Sequence, residues 1–161
     1  MIVSEKTLKW AMRVYPPLFF QRIWVKRFHQ GFRAADIKIG MSILNRNYNG
    51  SIFGGTIFAA TDPFYSILFD QLLQREGFKV RVWLKSASIQ YLKPGRSALY
   101  FTLAITDEML NEAIGALNSS GKFIKAYPIE VTDHQGLVCA TVMNEVYIRN
   151  LHSGENGPVA Y

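Results

Sequence analysis

Residues 55–75 place the strongest constraint on what this chain can fold into. The stretch has helical length, and its apolar residues run almost all the way round. A helix with one apolar stripe can lie on a surface, whereas one that is apolar all round must be covered on every side. Gly77 supplies a natural stop. Pro63 interrupts the pattern, because it has no N–H and its ring clashes with the carbonyl of Ala59. A kink is therefore expected beside Asp62, with backbone groups left free there.

The cover has to come from strands. Residues 22–29, 32–39, 79–93, 97–106, 122–132 and 136–149 read as strands, the last two as a hairpin across residues 133–136. Pro128 assigns its strand to an edge or a bulge. Residues 99–105 are so apolar that their second face is expected to meet a partner. Two further helices are predicted. Residues 5–14 follow Ser4 as N-cap and are ended or bent by Pro16-Pro17, with a brief restart over 18–20. Residues 108–117 follow Asp107 as cap and stop around Gly121. The fold class is α+β, a curved antiparallel sheet wrapped around a long central helix. Residues 1–161 read as a single domain, with a helical segment over 1–21 and a flexible polar tail over 151–161.

Composition narrows the function classes. Cys139 is the single cysteine, so no internal disulfide can form and a cytoplasmic location is expected. The first residues do not read as a signal peptide, since Lys6, Lys9 and Arg13 interrupt Leu8, Trp10, Ala11 and Met12. No apolar run is long enough for stable membrane insertion. His29, His134 and His152 lack partner spacing, so no metal site is expected. There is no G-x-S-x-G elbow, phosphate loop or dinucleotide fingerprint. The net charge is +6, with an early cluster at Lys9, Arg13, Arg22, Lys26, Arg27, Arg33 and Lys38. Such a field steers anions, coenzyme A among them, and would steer nucleic acid or an anionic membrane equally well. A solvated basic face with no partner fits the same charges. No nucleic-acid partner is assigned.

The chemistry is concentrated in residues 47–62, Asn47-Tyr48-Asn49-Gly50-Ser51-Ile52-Phe53-Gly54-Gly55-Thr56-Ile57-Phe58-Ala59-Ala60-Thr61-Asp62. A polar loop meets the helix start at Gly54-Gly55, where a ligand can approach the backbone closely and free N–H groups can face an anion or oxyanion. Asp62 then places a carboxylate in an apolar run, a costly choice unless it is paired, hydrogen-bonded or used.

This segment resembles the active-site region of the hotdog-fold acyl-CoA thioesterases, the phenylacetate-pathway type in particular, and the likeness extends over residues 32–147. Asn47, Gly54, Gly55 and Asp62 match that family's Asn, glycine pair and acid at its spacing, and Phe53 stands where it has His. The resemblance implies an acyl-CoA, or another acyl thioester, as substrate. Coenzyme A then enters as part of the substrate, and no separate cofactor is implied. It also implies a homodimer or homotetramer with sites shared between subunits. Geometry agrees with sharing. Eight residues separate Gly54 from Asp62, roughly 12 Å of helix, so one carbonyl cannot touch both within a chain.

On this reading Asp62 is general base or nucleophile, Gly54 and Gly55 form the oxyanion site, and Asn47 orients water or thioester. Each has a structural alternative: a carboxylate bonded to backbone freed by Pro63, a close-packed helix end, and an Asx turn. Ser66 lies one turn beyond Asp62 and can bond the carboxylate, the substrate or its own helix. Phe53 and Phe58 are candidates to line the substrate, with core packing the alternative for Phe58. Lys85, Arg81, Lys93 and Arg96 are candidates for the coenzyme A phosphates, or else solvated charges. A non-catalytic acyl-CoA-binding hotdog protein is the competing reading.

Overall fold

In the computed structural model of the chain, residues 2–151 are described, and the predicted tail from 152 onward lies outside them. Helix α1 (Glu5–Val14) starts on the expected cap, the Ser4 Oγ accepting the Thr7 N–H at 3.1 Å. Pro16 and Pro17 do more than end it. They form the first turn of a short helix α2 (Pro16–Phe19), where a missing N–H costs nothing. Strand β1 (Ile23–Phe28) follows.

The second strand begins later than its sequence suggests. Phe32 belongs to a 3₁₀ turn (Gln30–Phe32), closed by its N–H on the His29 carbonyl at 2.9 Å, and β2 spans Ala34–Ile39. Tertiary packing holds Phe32 there, with its ring fully buried and the Arg75 guanidinium 4.8 Å from its centroid.

The long apolar stretch forms two helices, α3 (Gly54–Thr61) and α4 (Pro63–Arg75), joined at Asp62. The kink stands where Pro63 requires it. Strand β3 (Val80–Tyr91), strand β4 (Leu99–Ala104), helix α5 (Asp107–Ser120) and the hairpin β5 (Lys122–Thr132) and β6 (Val138–Asn150) complete the chain. The cap of α5 is Thr106 and not Asp107. The Thr106 Oγ1 accepts the Met109 N–H at 3.2 Å, which frees Asp107 to pair with Arg33 at 2.9 Å. Gly121 ends α5 at φ 72°, in the left-handed region that favours glycine.

The six strands form one antiparallel sheet in the order β1-β2-β4-β5-β6-β3. It wraps the central helices, and Ile57, Ala60, Phe64, Leu68, Phe69 and Leu73 are buried against its inner residues. Strand β4 shows strict alternation. Leu99, Phe101 and Leu103 point inward and are buried, whereas Thr102 and Ala104 are exposed. The outward face of this strand carries Tyr100, Thr102 and Ala104, so its largest aliphatic side chains lie on the inner face. Between β4 and β5 only Tyr100 and Thr132 pair. Pro128 thus sits on a stretch of β5 with an open side, as its missing N–H requires, and its carbonyl accepts the Tyr65 hydroxyl at 3.1 Å.

Candidate functional site

Residues 45–53 reach α3 through a braced loop. Asn45 is buried, and its Nδ2 donates to the carbonyls of Gln21 and Gly40, each at 2.8 Å. The Asn47 Oδ1 accepts the Ser51 N–H at 3.0 Å and the Ser51 hydroxyl at 3.1 Å. The Asx-turn role is thus realised. It uses only the oxygen, and the Asn47 Nδ2 has no partner among the described residues. A cleft of about 350 Å³ opens there, bounded by Asn47, Gly54, Ile57, Tyr91, Lys93 and Gly95.

Helix α3 has no side-chain cap at its start. The Phe53 carbonyl accepts the N–H groups of Thr56 at 2.9 Å and Ile57 at 3.3 Å. The N–H groups of Gly54 and Gly55 find no acceptor among the described residues. Neither glycine has a positive φ, so the backbone does not demand them. Close approach does at Gly54, beneath a hydrogen-bonded ring, whereas at Gly55 the neighbour is an exposed ring that can turn. A Cβ on Gly54 would stand 2.9 Å from the Tyr91 Cζ, and one on Gly55 would run into the Phe53 ring. Tyr91 also donates its hydroxyl to the Gly54 carbonyl at 2.9 Å, and desolvation raises its pKa, so it remains a proton donor near neutral pH.

Asp62 lies at the far end of α3. Its side chain is exposed to solvent in the isolated chain, which corrects the expectation of burial. Enough protein still surrounds the carboxyl for desolvation to raise its pKa above the ordinary value. It accepts no hydrogen bond from any described residue. Ser66 does not reach it. The Ser66 Oγ is buried and unpartnered, and bonds neither Asp62 nor its own helix. Gly55, Phe58 and Asp62 recur at helical spacing, and Phe58 and Asp62 are exposed. Phe58 therefore belongs to an outward stripe and not to the core.

Asn144 was not expected at the site. It is fully buried on β6, and its Nδ2 donates to the Thr61 carbonyl at 2.7 Å. This bond holds the last carbonyl before the kink and so helps to aim Asp62. The one signal in the sequence is an amide within the apolar run of β6. Asn144→Leu would strip that carbonyl of its partner and is expected to cost about 1–3 kcal/mol, read as a lower denaturant midpoint. An unchanged midpoint would show that the bond gives no net stability over an apolar side chain that also removes the buried, unpartnered Asn144 Oδ1.

Among the basic candidates, Lys93 lines the cleft. Arg96 donates to the Asn49 carbonyl at 3.4 Å. Lys85 occupies the bulge of β3 and pairs with Glu145 at 3.0 Å, holding that carboxyl below its ordinary pKa. The structure does not bring Lys85 into the cleft lining.

A family described as a domain of unknown function, DUF4442, matches residues 4–148. The chain belongs to this family. Comparison with curated protein sequences gives no match. Among solved structures, the DUF4442 chain is similar to a Pseudomonas aeruginosa protein of unknown function described as "Probable Thioesterase". The two share 15% identity and a TM-score of 0.81, over 93% of this chain and 98% of that one. It is also similar to a thioesterase from Haemophilus influenzae, at 13% identity and a TM-score of 0.71 over 96% of each chain. The PaaI protein of the E. coli phenylacetic acid degradation operon gives 14% and 0.61, over 92% of this chain and 96% of that one. The DUF4442 chain thus has the hotdog fold, the fold it shares with these three solved proteins.

Proposed function

We propose that the protein hydrolyses acyl thioesters, acyl-CoA in the first instance, at a site completed by a second copy of the chain. One observation carries this reading. The free Gly54 and Gly55 N–H groups and the unpartnered Asp62 carboxylate stand at opposite ends of α3, a helix of 8 residues. That is roughly 12 Å, too far for one carbonyl to meet both. The outward stripe through Gly55, Phe58 and Asp62, and the open edge of β3, are surfaces that a second copy would cover.

In such a site the thioester carbonyl oxygen accepts from the Gly54 and Gly55 N–H groups. Tyr91 holds Gly54 in place through its carbonyl. Asp62 of the partner subunit removes a proton from water, the water oxygen bonds to the acyl carbon, and the C–S bond breaks. The departing thiolate takes the proton, leaving a carboxylic acid and a free thiol. Asn47, with its unpartnered Nδ2, would orient the thioester, and Lys93, which lines the same cleft, would meet phosphate. Thiol release from a panel of acyl-CoAs tests the reading: turnover is expected, and none across the panel would refute it.

One feature favours the non-catalytic reading. The Phe53 ring lies against Gly55, over the helix start, although the side chain is 57% exposed. If the ring blocks the oxyanion site, the parent protein binds acyl-CoA without turnover, and Phe53→His should bring hydrolysis. Turnover by the parent chain would dismiss that reading.

A further inference from the structure

The thioester chemistry leaves the N-terminal elements unused, and they carry the early basic cluster. Between α1, α2 and the outer face of β1 and β2 lies a groove of about 460 Å³. Trp10, Val14, Phe19 and Trp24 supply its apolar wall, and Arg13, Lys26 and Lys38 its charge. Beyond the groove the chain projects an apolar knuckle. Pro16-Pro17 start α2 immediately after α1, so Val14, Tyr15 and Phe20 stand 71%, 55% and 61% exposed. Cations stack on these aromatics: Arg13 is 4.9 Å from the Trp10 ring centroid and Arg22 is 5.2 Å from that of Trp24. No carboxylate lines the groove. The acids on the same elements are already engaged, Glu5 by the Gly31 N–H and Asp36 by His29 and Thr102.

We infer that this face docks on an anionic bilayer surface. An aliphatic and aromatic knuckle belongs at the boundary between headgroups and acyl chains, and the basic ring around it meets lipid phosphates. Tryptophan and tyrosine suit that interface, with an apolar body and a polar edge. A second copy fits the face less well. An isologous contact would set Arg13, Lys26 and Lys38 against the same residues of the other copy. Nucleic acid would use the charges and rings, but it offers nothing to the aliphatic Val14 at the tip. The sheet order puts β1 and β3 at opposite edges, so docking through β1 leaves the Tyr91 cleft free. The inference is independent of the thioesterase reading.

Flotation of the whole protein with vesicles tests it. With phosphatidylcholine and phosphatidylglycerol in equal parts, partitioning should exceed that with phosphatidylcholine alone by at least about tenfold. It should fall steeply toward 1 M salt, where screening shortens to about 3 Å. Lys26→Glu with Lys38→Glu should remove the anionic preference. Val14→Ser with Phe20→Ser, both at exposed positions, should lower partitioning into the mixed vesicles by a similar factor. No flotation, equal flotation with both vesicles, or flotation indifferent to both double variants would each overturn the inference. So would binding to single-stranded RNA without flotation, or self-association lost with Phe20→Ser and no flotation.

Discussion

Asp62→Asn is expected to lower thioester hydrolysis by about 10²–10⁴-fold while intact acyl-CoA still binds. The change keeps the shape of the side chain and removes its charge. Because Asp62 is exposed in the isolated chain and has no hydrogen-bond partner there, the substitution should leave the fold undisturbed. The pH dependence follows from the same group. Desolvation raises the folded pKa above 3.8, so the ionised base is lost as pH falls through that raised value. Turnover should therefore decline with acid sooner than an ordinary carboxylate would allow. Stability has the opposite sign at this residue: the native state holds the proton more tightly, so its contribution weakens as pH rises through the same window. Steady-state thiol release across pH, with the Asn variant alongside, reads the first effect. An Asn variant with undiminished turnover would place the chemistry elsewhere.

Gly55→Val is expected to abolish productive binding and to leave the fold largely intact. The backbone at Gly55 lies outside the left-handed region, so a branched residue is conformationally allowed. The added atoms meet the Phe53 ring, an exposed side chain that can swing aside. They would then occupy the approach to the Gly54 and Gly55 N–H groups. Calorimetric binding of an acyl-CoA, with circular dichroism as the folding control, measures this. Binding equal to that of the parent would make the loop purely structural.

Legibility in the sequence followed the range of the interactions. The helix pair α3 and α4, with its kink at Asp62, was readable because Pro63 and the apolar run are local. So were the Ser4 cap, the turn after β5 and the open side of β5 at Pro128. Phe32 was misplaced because Arg75, distant in sequence, helps to hold it in a turn. Residues 99–105 read as lacking alternation because Tyr100 and Ala104 count as apolar by type, whereas burial in the structure alternates strictly along β4. Within the site, Asn47, Gly54 and Gly55 were legible as a loop entering a helix, and the cleft does gather Asn47 and Gly54. Tyr91 and Asn144 were not, since their partners Gly54 and Thr61 lie 37 and 83 residues away. The Lys85 pairing escaped notice because a bulge in β3, invisible to period-two alternation, sets it against Glu145.

The shared site is tested most directly by mixing two inactive variants. Asp62→Asn chains retain the glycine pair, and Gly55→Val chains retain the carboxylate. After co-refolding at equal amounts, half of the dimers are hybrids, and each hybrid has one site with both groups intact. Activity should return to about one quarter of the parent level. If confirmed hybrids stay as inactive as either variant alone, the groups do not meet across subunits and the shared site is contradicted.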